Sequence, residues 1–287
     1  MIPGSAMKRD LRSELSGIIP SDLIGMVPHS FDVIGSKGRA VAVIEVPPEL
    51  DQYGKVTAEA LMRVQKNVKS VLSKGTERVG EYRTRNMVLL AGDRNTEVIH
   101  KESGCYFKVD PTTAYFSPRE STEREKISSH VSPEERVLVM FSGIGPFAIC
   151  IAKRQPKAQC VAIELNPNAH NYCLENISLN KVGDRVSAIM GDVRKVCPTL
   201  VDRFDRVLMP LPKGAYEYLD VAIPMVKPGG ILYFYHWAQR DDPFSEGEKI
   251  LLQAAWNLDR NAEITERVKV SQYSPSAWKI RLSAKIV

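Results

Sequence analysis

Five short apolar runs recur at regular spacing through the second half of the chain. They are RVLVMF (136–141), QCVAIEL (159–165), RVSAIMGD (185–192), FDRVLMP (204–210) and GGILYFYHW (229–237). Each has strand length, and helical segments separate them. Parallel neighbours cannot be joined by a tight turn and need a crossover, usually a helix. The alternation therefore predicts a doubly wound, parallel α/β sheet. Residues 167–180 show the grammar of such a crossover helix, with Asn166 as cap and Pro167 in the first turn. The tail, EITERVKVSQYSPSAWKIRLSAKIV, predicts a final hairpin added as an antiparallel edge pair.

The first part has a different texture, α+β. SFDVIGSKGRAVAVIEVP reads as two strands around a Gly-Ser-Lys-Gly turn. KVTAEALMRVQKNVKSVL places Leu61, Val64, Val68, Val71 and Leu72 on one face at helical period and predicts one helix. MVLLAG, EVIHKESG and CYFKVD read as strands, the last two paired through Glu102-Ser103-Gly104. STEREKISSHV reads as a helix starting at Ser121-Thr122-Glu123. At 287 residues, two domains are expected, at 1–120 and 121–287.

Composition narrows the class of function. No apolar run approaches the roughly 20 residues of a membrane helix, and MIPGSAMKRD lacks the pattern of a secretory signal. The five cysteines, Cys105, Cys150, Cys160, Cys173 and Cys197, form no CxxC pair. They are expected as buried small hydrophobes in a cytoplasmic protein, with no metal site. The net charge is +5. Lys66, Lys69, Lys74, Arg78, Arg83 and Arg85 face only Glu77 and Glu81 within that stretch. Such a surplus suits phosphate contact, or equally a solvated face.

The chemistry gathers at the strand ends. FSGIGPFAI follows the first strand and opens a helix, with Phe141, Gly143 and Gly145 in its turn. Glycines there permit a tight turn and close approach of backbone to ligand. Pro146 and Phe147 stand where a dinucleotide fingerprint would have its last glycine, which disfavours NAD. The second strand ends in Glu164-Leu165, about 20 residues on, where a carboxylate can accept from both ribose hydroxyls. The third ends in Gly191-Asp192-Val193, where a carboxylate can take the amine of an adenine. This layout points to S-adenosylmethionine; the competing reading makes Glu164 and Asp192 helix caps. The fourth strand ends at Pro210-Leu211-Pro212. Proline cannot continue a central strand, so that segment is a rigid wall beside the donor.

GEYRTRNMVLLAGD, HKESGCYFKVDPTTAYFSPRESTER, FSGIGPFAI, AIELNPNA, GDVR, RVLMPLPKGA and YSPSAWKI occur in this order. Together they resemble the archaeal and eukaryotic tRNA (guanine-37 N1) methyltransferases and the related aminocarboxypropyl transferase of the wybutosine pathway. The resemblance covers roughly residues 20–287. It implies a Rossmann-like class I methyltransferase sheet carrying a smaller α+β N-terminal domain that positions tRNA. It implies methyl transfer from S-adenosylmethionine to N1 of guanine 37, in the anticodon loop, by a monomer. By that resemblance Tyr115 and Phe116 border the donor, and Arg119 stabilises charge on the guanine carbonyl as N1 loses its proton. Pro210 and Pro212 complete the catalytic wall. Tyr115, Phe116 and Tyr273 are candidate platforms for a flipped base.

Three departures are visible. The family aspartate two residues before the motif phenylalanine is Val139, and the family asparagine before Leu-Pro is Pro210. The chain also starts too late for the extra N-terminal domain many of these methyltransferases carry. The alternatives are aminocarboxypropyl transfer, a methyltransferase retargeted to another substrate, and a non-catalytic RNA-binding homologue.

Overall fold

A computed structural model describes residues 10–79, 84–274 and 276–287, with the side chains of 76–86 and Tyr273 outside the description. The chain forms two compact units, one of residues 1–101 and 108–118, the other of 102–107 and 119–287.

In the first unit a short helix α1 (Leu11–Leu15) precedes β1 (Asp32–Ser36) and β2 (Arg39–Ile44), which pair antiparallel about Lys37-Gly38. Helix α2 (Gly54–Val64) then crosses over to β3 (Val68–Val79), which runs parallel to β2, and β4 (Thr84–Gly92) returns antiparallel. The sheet order is β1-β2-β3-β4. Alternation along β2 sends Ala40, Ala42 and Ile44 toward Leu11, Leu15, Ala58 and Leu61 in one buried cluster.

The helix expected to run to Leu72 stops at Val64. Gln65 closes it by donating to the Leu61 carbonyl at 2.8 Å, and Val68 N–H bonds back to Gln65 at 2.9 Å, making a tight turn. Val68, Val71 and Leu72 belong to β3 instead. The β-branched Val68 and Val71, and pairing of the whole segment with β2, overrode a helical spacing that was coincidental.

Strands β5 (Val98–Glu102) and β6 (Cys105–Val109) form a two-stranded sheet. Its turn uses Ser103 and Gly104, both at positive φ, as a two-residue hairpin of this hand requires.

The second unit continues with α3 (Ser121–His130), β7 (Arg136–Val139), α4 (Pro146–Arg154), β8 (Gln159–Glu164) and α5 (Pro167–Leu179). Then come β9 (Val186–Met190), α6 (Val193–Val196), β10 (Phe204–Met209), α7 (Leu219–Ala222) and β11 (Val226–Gln239). Helix α8 (Ser245–Trp256) and the hairpin β12 (Ala262–Ser274) and β13 (Ala277–Ile286) complete it. Helix α3 starts at Ser121 as expected, but its N-cap is Glu120 with no side-chain capping bond.

The seven-stranded order is β12-β13-β11-β10-β7-β8-β9. The five strands from β9 to β11 are parallel, while β13 runs antiparallel to both β11 and β12. Central strands are buried on both faces and so read as continuous apolar runs. On one face Leu138, Met140, Val207, Met209, Leu232, Phe234, Ile280 and Leu282 pack with Leu219, Leu251 and Ala255. Strand order reverses between β7 and β10, the place where open α/β sheets bind ligands.

Candidate functional site

Four parallel strands, β9, β8, β7 and β10, present their carboxyl ends along one edge, and backbone bonds knit the following loops together. Ser142 N–H donates to Ile163 at 2.9 Å, Met140 to Leu208 at 2.9 Å, and Gly191 to Glu164 at 2.9 Å. The loop after β7 is tightly wound. Phe141, Gly143 and Gly145 have φ of 55°, 56° and 85°. A Cβ on Gly145 would lie 2.6 Å from Cys173 Sγ, so only glycine fits between α4 and α5. Phe141 tolerates the left-handed region with its ring edge-on to Tyr218, centroids 4.9 Å apart.

Glu164, half-buried, joins this loop directly. Its Oε2 accepts from Gly143 N–H at 2.7 Å and its Oε1 from Asn166 N–H at 2.8 Å. Burial pushes its carboxyl above the ordinary value, and the bonds from Asn166, Gly143 and Leu165 partly offset that. Asp192 caps α6 by accepting from Arg194 N–H at 2.9 Å, and Val193 behind it is buried. Both acids thus make cap-type bonds, and each carboxylate can accept further bonds.

The loop after β10 has an unusual polarity. Pro210 and Pro212 have no N–H, and the N–H of Leu211 between them is turned back onto Met209 at 2.7 Å. Through these three residues the backbone presents carbonyl acceptors and no outward donor.

Phe141, Gly143, Gly145, Glu164, Leu165, Asp192, Val193, Pro210 and Pro212 are therefore brought to one edge of one sheet. Arg119 belongs to the same unit, in the turn Pro118–Glu120 ahead of α3. Tyr115 and Phe116 belong to the first unit. Tyr115 is exposed, and Phe116 is buried with its ring 5.1 Å from that of His100. Val139 is fully buried at the end of β7, paired with Ala162 and Leu208. Of the basic stretch, Lys74 pairs with Asp32 at 3.1 Å, Lys69 donates to the Lys66 carbonyl, and the side chains of Arg78, Arg83 and Arg85 lie outside the described residues, as does that of Tyr273.

Sequence reasoning missed what holds the turn bearing Arg119. Glu120 pairs with Lys279 at 2.7 Å, and Glu123 Oε1 accepts from Arg281 Nε at 2.5 Å and from Tyr235 Oη at 2.7 Å. Arg281 is fully buried and also reaches Glu266 at 2.8 Å, which Lys126 meets at 2.6 Å. Burial alone would raise the Glu266 carboxyl, but Arg281 and Lys126 hold it at about 2. Alternation along β13 puts Lys279, Arg281 and Ser283 on one face, a polar stripe in an apolar strand that marked a buried network.

Residues 98–263 match the family model of the TRM5/TYW2 methyltransferase domain, and residues 11–96 that of the TYW2 N-terminal domain. The chain belongs to the TRM5/TYW2 methyltransferase family. It is 38% identical to the tRNA (guanine(37)-N(1))-methyltransferase Trm5b of Pyrococcus abyssi, across 93% of this chain and 78% of that protein. It is 31% identical to the tRNA(Phe) (4-demethylwyosine(37)-C(7)) aminocarboxypropyltransferase of Pyrococcus horikoshii, across 98% and 97%. Among solved structures it resembles aTrm5 in complex with tRNALeu, with a TM-score of 0.84 at 30% identity over 99% of this chain and 80% of that one. It also resembles P. horikoshii TYW2 in complex with MeSAdo, with a TM-score of 0.79 at 29% identity over 98% and 99%. The sheet order and the crossovers of the second unit are the class I methyltransferase fold expected from the resemblance. Among the described residues no helix is long and apolar enough to cross a membrane.

Proposed function

We propose that this protein is an S-adenosylmethionine-dependent methyltransferase that methylates N1 of guanine 37 in the anticodon loop of tRNA, acting as a monomer in the cytoplasm. The observation that carries the reading is the 38% identity with Trm5b over 93% of the chain. The site fits the donor: Glu164 is fixed at the glycine loop with lone pairs for ribose hydroxyls, and Asp192 at the next strand end suits an adenine amine. S-adenosylmethionine supplies an electrophilic methyl group. The chain's own residues align the nucleophile with it, and orientation of this kind is worth roughly 7–11 kcal/mol in favourable cases.

Guanine presents N1–H and an exocyclic amine on one edge. The carbonyl-only wall at Pro210-Leu211-Pro212 complements those donors, in place of an asparagine side chain. The N1–methyl bond forms as the sulfonium S–methyl bond breaks, releasing S-adenosylhomocysteine; the N1 proton leaves to water, and Arg119 stabilises the charge that develops on the guanine carbonyl as it goes. Tyr115 and Phe116 border the donor and base. In this reading the first unit positions the tRNA and the second unit, which includes Arg119, carries the chemistry.

A second reading has one specific support. The N-terminal match at residues 11–96 is to the TYW2 domain, which favours transfer of the aminocarboxypropyl group from the same donor. One experiment separates the two. The protein is incubated with S-adenosylmethionine and unmodified total tRNA, and the nucleosides are weighed by mass spectrometry. The lead reading expects 1-methylguanosine, lost in Arg119→Ala. An aminocarboxypropyl adduct transfers the assignment to the second reading, and no modified nucleoside refutes both.

A further inference from the structure

Helix α5 and its C-cap carry two buried asparagines. Asn176 is fully buried and Asn180 is 3% exposed. A buried amide is costly unless it is bonded, and these two form a relay. Asn180 clasps the backbone of Tyr106 in β6 twice, accepting from its N–H at 2.9 Å and donating to its carbonyl at 2.6 Å. The same Asn180 amide donates to the main-chain carbonyl of Asn176 at 2.8 Å. Asn176 Nδ2 in turn donates to the carbonyl of Ile144 at 3.1 Å.

Ile144 is the middle of the loop that follows β7. Each of three consecutive loop residues is therefore fixed from outside. Gly143 is held by Glu164, Ile144 by Asn176, and Gly145 by Cys173 packed beneath it. Cys173 and Asn176 are three apart on α5 and so share a face. The helix acts as a template for the loop's curvature, and the polar half of that template is Asn176.

We propose that Asn176 is a positioning residue for the methyl donor. It sets the path of the loop that faces S-adenosylmethionine, while Asn180 anchors the fold. The inference rests on the donor reading above. The relay has two ends with different consequences. Asn176→Ala removes a buried donor from the loop carbonyl. Asn180→Ala breaks three bonds, all of them on the side away from the loop. Both variants lose stability, but only the first releases the loop.

The test is calorimetric titration of the full chain with S-adenosylmethionine, alongside the melting temperature of each variant. Loss of one buried hydrogen bond predicts donor affinity weaker by about tenfold in Asn176→Ala. Asn176→Asp keeps the shape and turns an acceptor toward the Ile144 carbonyl, so it weakens the donor at least as much and serves if the alanine variant does not fold. Asn180→Ala keeps donor affinity within about twofold of the parent despite a lower melting temperature, since no bond to the loop is lost. In turnover the Asn176 variants raise KM for the donor and leave KM for tRNA and kcat at saturating donor unchanged.

Equal donor affinity in the parent and the Asn176 variants overturns the inference alone. So does an equal weakening by Asn180→Ala, which would mean general loosening. Absence of donor binding by the parent protein removes the inference together with the functional reading.

Discussion

Gly145→Ala is the sharpest perturbation of the loop that follows β7. Two costs can be read from the structure. At φ +85° an alanine is held in the left-handed region, which costs about 1–2 kcal/mol. Its Cβ also lies 2.6 Å from Cys173 Sγ and 3.2 Å from Ile149 Cδ1, so α4 and α5 must part, at about 1–3 kcal/mol for overpacking. The total is roughly 2–5 kcal/mol, and about 3 kcal/mol lowers the melting temperature of a unit this size by roughly 6–12 °C. Scanning calorimetry of the full chain resolves the transition. A second substitution divides the cost. Cys173→Ala in the Gly145→Ala background removes the nearest clashing atom and restores the steric share, leaving the conformational share of about 1–2 kcal/mol. A melting temperature within about 2 °C of the parent for Gly145→Ala refutes the packing argument. So does a double variant no more stable than Gly145→Ala alone.

Two further predictions follow from the charges and thiols. Glu266 has a folded value of about 2, below its ordinary 4.5, so its contribution is complete above pH 4.5 and is lost as pH falls toward 2. With its side chain 31% exposed, solvent screening reduces that contribution to on the order of 2 kcal/mol. Glu266→Gln flattens the acid limb of a urea-stability profile across that window, and an unchanged limb contradicts the network. All five cysteines are buried, and burial pushes Cys160 and Cys173 up to about 12 and Cys197 to about 11. Iodoacetamide at pH 8 therefore labels those three only after unfolding, and rapid native labelling counted by intact mass would refute their packing.

The parallel sheet was legible because doubly buried strands cannot hide their apolar runs. All five expected strands are present, and the tail forms the antiparallel pair at the sheet edge. The place of Glu164 was legible, since it ends the second parallel strand about 20 residues after the glycine loop, where its carboxylate meets the Gly143 N–H. The error at Val68–Leu72 shows the limit of periodicity. Three apolar residues at helical spacing fit either element, and the choice was made by β2, a partner that local spacing cannot represent. The relay through Asn176 was illegible for another reason. An asparagine in an apolar helix face signals a buried bond, but its acceptor lies 32 residues away on the other side of a crossover. Likewise, Lys279 and Arg281 stand out in β13, yet nothing local names Glu120 and Glu123.

That last pairing has a consequence in time as well as space. Glu123 is separated from Arg281 by 158 residues, and Glu120 from Lys279 by 159. During synthesis α3 is made long before β13, so Glu120 and Glu123 precede their cationic partners by most of the second unit. Burying them early, without their cations, would be costly. Closure of α3 over the sheet is complete only with the hairpin in place, and contacts this far apart form slowly. The turn that carries Arg119 is held by the strand that closes the sheet, so a finished sheet is the precondition for a finished turn.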